Sequence, residues 1–147
     1  ESDLELLFPN EYIPSSSERM LLYREFDGLE LDKDVLDFKA RLEDRFGKVP
    51  PEAQELLRIV PLRRLAKRLG AEKIFLKAGR MSLFFVSNPD SPYYQSAAFG
   101  KVIGYMGRNP RFCNLREVNG KRSMVVKNVE NVETAVSILQ EIVSMEG

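Results

Sequence analysis

The hydrophobic pattern changes its period at Gly70, and that change limits the architectures open to the chain. Before Gly70, apolar residues recur at three- and four-residue spacings, as in Val35, Phe38, Leu42 and Phe46; this suits helices of 3.6 residues per turn. Ser15 with Glu18 three residues on forms a capping-box pattern that opens a first helix through Met20, Leu21, Leu22, Tyr23 and Phe26, stopping near Gly28. Asp32 is placed to cap a second helix, with Gly47 at the left-handed position that follows a helix end. Pro51 opens a third helix, running through Ala53, Leu56, Leu57, Val60, Leu65, Ala66 and Leu69. Within it Pro61 lacks a backbone donor and clashes with the carbonyl four residues back, which predicts a kink or break near Val60.

Beyond Gly70 the apolar runs are short and paired. Ile74–Lys77 and Met81–Val86 flank Ala78-Gly79-Arg80, a hairpin with a Gly-containing loop. Phe112–Val118 and Lys121–Lys127 flank Asn119-Gly120, the strongest short-range hairpin signal in the chain. Between the pairs, Ser91 and Pro92 predict one helix as far as Met106, ended by Gly107 or Asn109. Asn131 caps a last helix carrying Val132, Ala135, Val136, Leu139, Ile142 and Val143. The expected fold is α+β: N-terminal helices, then a ββαββα unit with a four-stranded, mostly antiparallel sheet. Residues 1–14, with Pro9 and Pro14, are expected to be an extended arm, and 15–147 a single domain.

Several kinds of chemistry lack their residues. The chain of 147 residues has no His and one Cys, which rules out a Cys/His zinc site, a Ser-His-Asp or Cys-His pair, and an internal disulfide. The Gly-Lys pairs at 47–48, 100–101 and 120–121 are followed by Val, Val and Arg, so none completes a phosphate-binding P-loop. Neighbouring acids such as Asp32 with Asp34 and Glu43 with Asp44 lack a metal-loop spacing. Cys113 reads as a small half-buried hydrophobe, and Gly100, Gly104 and Gly107 as points of close helix packing. No enzyme activity and no cofactor are expected, nor any membrane contact. The lone thiol and the first residue, Glu1, suggest a cytoplasmic fragment of a longer chain.

Charge is unevenly placed although acids and bases number 22 each. Residues 1–47 carry 13 acids against 6 bases, 48–128 carry 16 bases against 5 acids, and 129–147 add four acids. Such an asymmetry serves either as a device for steering partners or as solvated surface. Arg63, Arg64, Lys67 and Arg68 fall on one helical face opposite Leu62, Leu65, Ala66 and Leu69. That basic face could meet phosphates, which makes segment 58–80 a candidate nucleic-acid-binding module, or it could be solvated or contact protein.

Three ordered motifs then resemble a known family. Phe8-Pro9-Asn10-Glu11-Tyr12-Ile13-Pro14, Glu18-Arg19-Met20-Leu21-Leu22-Tyr23-Arg24 and Leu42-Glu43-Asp44-Arg45-Phe46-Gly47-Lys48-Val49-Pro50 are similar to the signature of the C-terminal domain of bacterial transcription-repair coupling factor. Leu56-Leu57 and the run from Leu62 to Gly70 extend the likeness to about residue 75, whereas 76–147 agree only in length and general pattern. The resemblance implies a non-catalytic regulatory domain of an ATP-dependent DNA translocase. That protein removes stalled RNA polymerase from DNA and recruits excision repair through UvrA. The domain would dock on the UvrB-like N-terminal module of the same chain, masking the UvrA-binding surface and restraining the motor. The family's interface contacts fall on Asp44 and Arg45. Arg41 stands one turn earlier where the family often has an acid, and Pro61 replaces a helix-friendly residue.

Overall fold

In the computed structural model, which describes all 147 residues, the Ser15 Oγ accepts from the Glu18 N–H at 3.2 Å and opens α1, Ser16–Asp27. The other half of the capping box is not made, because the Glu18 carboxylate pairs with Arg45. Helix α2 spans Asp32–Phe46, and Gly47 after it has the positive φ its position implied, +87°, but a ψ of −170° that lies outside the left-handed helical region. Asp32 departs from expectation: the cap residue is Leu31, with no side-chain hydrogen bond. The Asp32 carboxylate instead takes two hydrogen bonds from Arg64, at 2.7 and 3.1 Å. Asp32 stands at the first helical position rather than before it, and its carboxylate forms a bidentate charge-assisted pair with one guanidinium.

Pro61 acts slightly earlier than expected. Helix α3 spans Pro51–Leu57 and α4 spans Ile59–Arg68, so the break falls at Arg58. Leu57 is the residue whose carbonyl the Pro61 ring would strike, and ending α3 there removes the clash. Pro61 then lies in the first turn of α4, where a missing N–H costs no intrahelical bond.

The chain divides into two units, Glu5–Arg64 and a second formed by Glu1–Leu4 with Leu65–Gly147. In the first, the core gathers Phe8, Ile13, Phe26, Phe38, Leu42 and Leu57, all under 5% exposed. Burying one such side chain contributes about 1.5–3 kcal/mol. The contacts that hold the segment before α1 there include both a ring stack and hydrogen bonds. Phe8 stacks on Tyr23 at 4.8 Å, the Phe8 N–H donates to the Tyr23 hydroxyl at 2.8 Å, and Arg19 donates to the Ile13 carbonyl at 2.6 Å.

The second unit is built on a sheet of order β1-β2-β4-β3, with every neighbouring pair antiparallel. Its strands are β1 Lys73–Lys77, β2 Arg80–Phe84, β3 Cys113–Val118 and β4 Lys121–Lys127. The first hairpin turns on two residues rather than three: Lys77 pairs with Arg80, and Ala78 and Gly79 both have positive φ. Asn119-Gly120 turns in the same way, as expected. The single helix expected from Ser91 is split. Ser91 caps a short 3-10 turn, Pro92–Gln95, and Ser96 leaves it in extended conformation to cap α5, Ala97–Arg108, from the Phe99 N–H. Serine competes for backbone donors and favours such a restart.

Helix α6, Val132–Val143, is capped by Asn131 through the Thr134 N–H at 2.8 Å. The inward residues Val102 and Tyr105 of α5 and Val132, Ala135, Leu139 and Ile142 of α6 are buried, as are Leu76, Met81, Leu83, Met124 and Val126 on one face of the sheet. Gly100 and Gly104 admit the C-terminal residues Gly147 and Met145 closely, whereas Gly107 faces open space.

Gly70 ends α4 with φ +82°, and a Cβ there would overlap the Tyr93 ring, whose hydroxyl bonds the Leu69 carbonyl. Gly70→Ala therefore costs the strain of a left-handed non-glycine, about 1–3 kcal/mol, plus displacement of that ring. Asn131→Ala, which removes only a cap, costs about 1 kcal/mol. Urea denaturation of both variants should show this order, with Gly70→Ala the more damaging.

Candidate functional site

Helices α1 and α2 are joined by a short connection, which makes them antiparallel neighbours. Residues 18, 21, 22 and 25 of α1 share one face by helical spacing, as do 38, 41, 42 and 45 of α2. Between the helices lies a groove of about 210 Å³, lined by Leu22, Glu25, Phe38, Arg41, Leu42, Asp44, Arg45 and Phe46. Its floor is apolar and its walls are charged. The three residues that the sequence singled out, Arg41, Asp44 and Arg45, all line it.

Each of the three has a different electrostatic setting. The Arg41 guanidinium pairs with Glu25 and lies 5.5 Å from the centre of the Phe38 ring. The Glu25 hydrogen bond holds Arg41 above its ordinary pKa, so it is a fixed cation. Arg45 pairs with Glu18 and lies 4.7 Å over Phe46. Asp44 is exposed and is the one charged lining residue outside an ion pair. Leu21, one turn after Glu18 and one before Glu25, is 62% exposed beside the paired residues. The groove thus offers a free carboxylate, two guanidinia on exchangeable surface partners, and apolar area.

Tyr12 buttresses the end of α2. Its hydroxyl donates to the Gly47 carbonyl at 2.7 Å and its ring packs on Phe46 at 5.7 Å. Burial, followed by the nearby Glu43 carboxylate, pushes the Tyr12 phenol up, which keeps it a neutral donor.

Glu18, Leu21, Leu22 and Glu25 were not picked out from the sequence as site residues. A signal was present: acids seven residues apart on α1 face arginines four apart on α2, once the two helices are read as an antiparallel pair. The basic residues of α4 do not join this groove. Arg64 is held by Asp32, while Arg63, Lys67 and Arg68 are exposed along the helix. Cys113 is 5% exposed, its thiol donates to the Asn109 carbonyl at 3.2 Å, and burial pushes its pKa up. No group of three or more Cys, Asp or Glu side chains is assembled in a way that would hold a metal ion, and no helix is long and apolar enough to cross a membrane.

The exposed ion pairs of the groove contribute little to folding, about 0–1 kcal/mol each. Arg41→Ala and Arg45→Ala are expected to shift unfolding by less than about 1 kcal/mol. Phe38→Ala removes a fully buried ring and should cost about 3–5 kcal/mol. Urea titrations of the three variants check the contrast, and comparable losses in all three would mean that the charged wall is structural.

Comparison with known proteins gives four matches. The TRCF domain family model matches residues 2–96, more than half of the chain. The chain is 31% identical over 137 residues to the transcription-repair-coupling factor of Rickettsia prowazekii (strain Madrid E), covering 92% of this chain and 12% of that protein. It is 34% identical over 68 residues to the same factor of Escherichia coli (strain K12), covering 46% of this chain and 6% of that protein. The chain therefore spans only a small part of the length of these relatives. Among solved structures, a crystal structure of the C-terminal domain of transcription-repair coupling factor matches with a TM-score of 0.70, covering 97% of this chain and 86% of that one. At 14% identity that match is a likeness of fold.

Proposed function

The chain belongs to the TRCF domain family, and from that premise we propose that it is an autoinhibitory docking domain whose α1–α2 groove closes on the UvrB-like N-terminal module of the same coupling factor. The observation that carries this reading is the convergence of Arg41, Asp44 and Arg45 on one groove with an apolar floor. A surface of this kind suits a reversible interface. Charged walls fix register and reject wrong partners, while the modest apolar floor limits affinity.

In this reading the groove asks for a partner of complementary chemistry. A cation opposite Asp44 completes the one charge that has no ion-pair partner within the groove. Acidic or carbonyl groups opposite Arg41 and Arg45 take over from Glu25 and Glu18, an exchange that costs little because both pairs are exposed. Leu21 and the half-buried Leu22 and Phe46 lose water on closure.

In this reading the domain does no chemistry of its own. Docked, it covers the UvrA-recruiting surface of the module and restrains the ATP-driven DNA translocase elsewhere in the protein. Engagement of stalled RNA polymerase favours the undocked state. A bias of a few kcal/mol suffices for such a switch. The setting is the cytoplasm, where DNA and the repair proteins are found. A role for the basic helix of segment 58–80 in nucleic-acid binding is the weaker reading, since Arg64 is already committed to Asp32.

The test uses the intact coupling factor carrying Asp44→Arg together with Arg45→Glu. UvrA recruitment and basal ATPase should both rise severalfold, with the thermal transition of the protein unchanged. Unaltered recruitment and ATPase would remove the groove from the mechanism, and loss of the transition would show that the two residues serve folding.

A further inference from the structure

The second unit carries another surface, independent of the groove. In an antiparallel sheet, residues directly opposite one another point to the same side, so the strand register defines each face. One face is the buried one that holds Leu76, Met81, Leu83, Met124 and Val126. The other is assembled in rows. Lys77, Arg80 and Lys127 form the first; Phe75, Ser82, Val125 and Asn114 the second; Lys73, Phe84, Ser123 and Arg116 the third; Lys121 and Val118 close it at the Asn119-Gly120 turn.

Six cations and no acid occupy those rows, and all six cations are exposed. The nearest acids stand at the edges. Glu1 pairs with Lys77 at 3.2 Å, Asp3 accepts the Ala78 N–H at the hairpin tip, and Glu130 lies beside Gly79. Glu72 borders the face next to Lys73.

Two half-buried rings lie among the cations. Phe75 and Phe84 meet edge to face at 5.3 Å, and the Lys77 ammonium is 5.5 Å from the centre of the Phe75 ring. Three contiguous depressions follow the face. Arg80, Arg111, Arg116 and Lys127 converge on one of about 240 Å³. Phe84, Arg116, Lys121 and Ser123 border the next, of about 390 Å³. Phe75, Phe84 and Lys73 border the third, of about 280 Å³.

We propose that this sheet face binds single-stranded nucleic acid, with the backbone phosphates on the lysine and arginine rows and bases stacked on Phe75 and Phe84. Rows on one face are about 6.7 Å apart along the strands, two residues at about 3.3–3.4 Å each. The cations therefore form a track rather than a single point. Sequence-tolerant single-strand binding needs this combination of a basic groove with ring faces for stacking. A duplex keeps its bases inside and would leave both rings unused, and an acidic peptide would engage the cations without calling for the rings.

The proposal is tested by fluorescence anisotropy of the 147-residue chain with a labelled oligothymidine single strand and, in parallel, a duplex of the same length, over a range of salt. The expected result is single-strand binding that weakens steeply with salt and exceeds duplex binding at least tenfold. Arg116→Glu with Lys121→Glu should abolish it. Phe75→Leu with Phe84→Leu, which keeps apolar volume, should erase the preference for single strands. Arg63→Glu with Lys67→Glu, on α4, should leave affinity unchanged, and circular dichroism should show every variant folded. Absence of single-strand binding at low salt would overturn the proposal, as would insensitivity to the Arg116 and Lys121 changes or equal loss from the α4 variant. Displacement of the oligonucleotide by polyglutamate at equal charge concentration would reassign the face to an acidic protein partner.

Discussion

The helical unit closes on the ring of Phe38. It is wholly buried, with Phe8 of the N-terminal segment 6.2 Å away on one side and Phe26 of α1 6.0 Å away on another. Residues far apart in sequence are thereby held at one point, and the spacing of α1 from α2 follows. That spacing makes the groove, because the same ring forms part of its floor and carries Arg41 on its outer side. Apolar packing supplies the stability, while the charged pairs above it contribute little to folding and remain free to exchange partners.

How much of this could be read in advance depends on whether a feature is local. Asn131, Asn119-Gly120 and the Ser15 half of the capping box act on neighbours within three residues and appear as their sequence context implies, whereas the Glu18 half is lost to Arg45, 27 positions away. Asp32 was misread because its partner, Arg64, is 32 positions away, and no local rule weighs an ion pair against a cap. The helix expected over 92–106 hides Ser96, which caps a new helix where the pattern showed only another polar residue. Pro61 gave the existence of a break correctly and its position within a few residues, since the clash falls on the carbonyl of Leu57 rather than on Val60.

The surfaces were less legible than the elements. Asp44 and Arg45 came from a resemblance in motif, and their setting became visible only when α1 brought Glu18 and Glu25 opposite α2. The excess of positive charge over 48–128 was plain, but the helix 59–68 drew attention because its cations are close in sequence. The larger cationic face forms on the sheet, where pairing of β2 with β4 joins residues more than 35 positions apart. A hairpin signal gives each local register; it does not give the order β1-β2-β4-β3 that lines up Arg80 with Lys127 and Phe84 with Ser123.

The central claim is that the α1–α2 groove is a docking face, and the most direct measurement is amide chemical-shift mapping. The isotope-labelled 147-residue chain would be titrated with the unlabelled UvrB-like N-terminal module of its own coupling factor. The expected result is saturable shifts clustered on residues 18–25 of α1 and 38–47 of α2, with the Arg41 and Arg45 side-chain N–H signals moving as Glu25 and Glu18 are replaced. Shifts confined to the sheet or to α4, or no shifts at millimolar module, would contradict it.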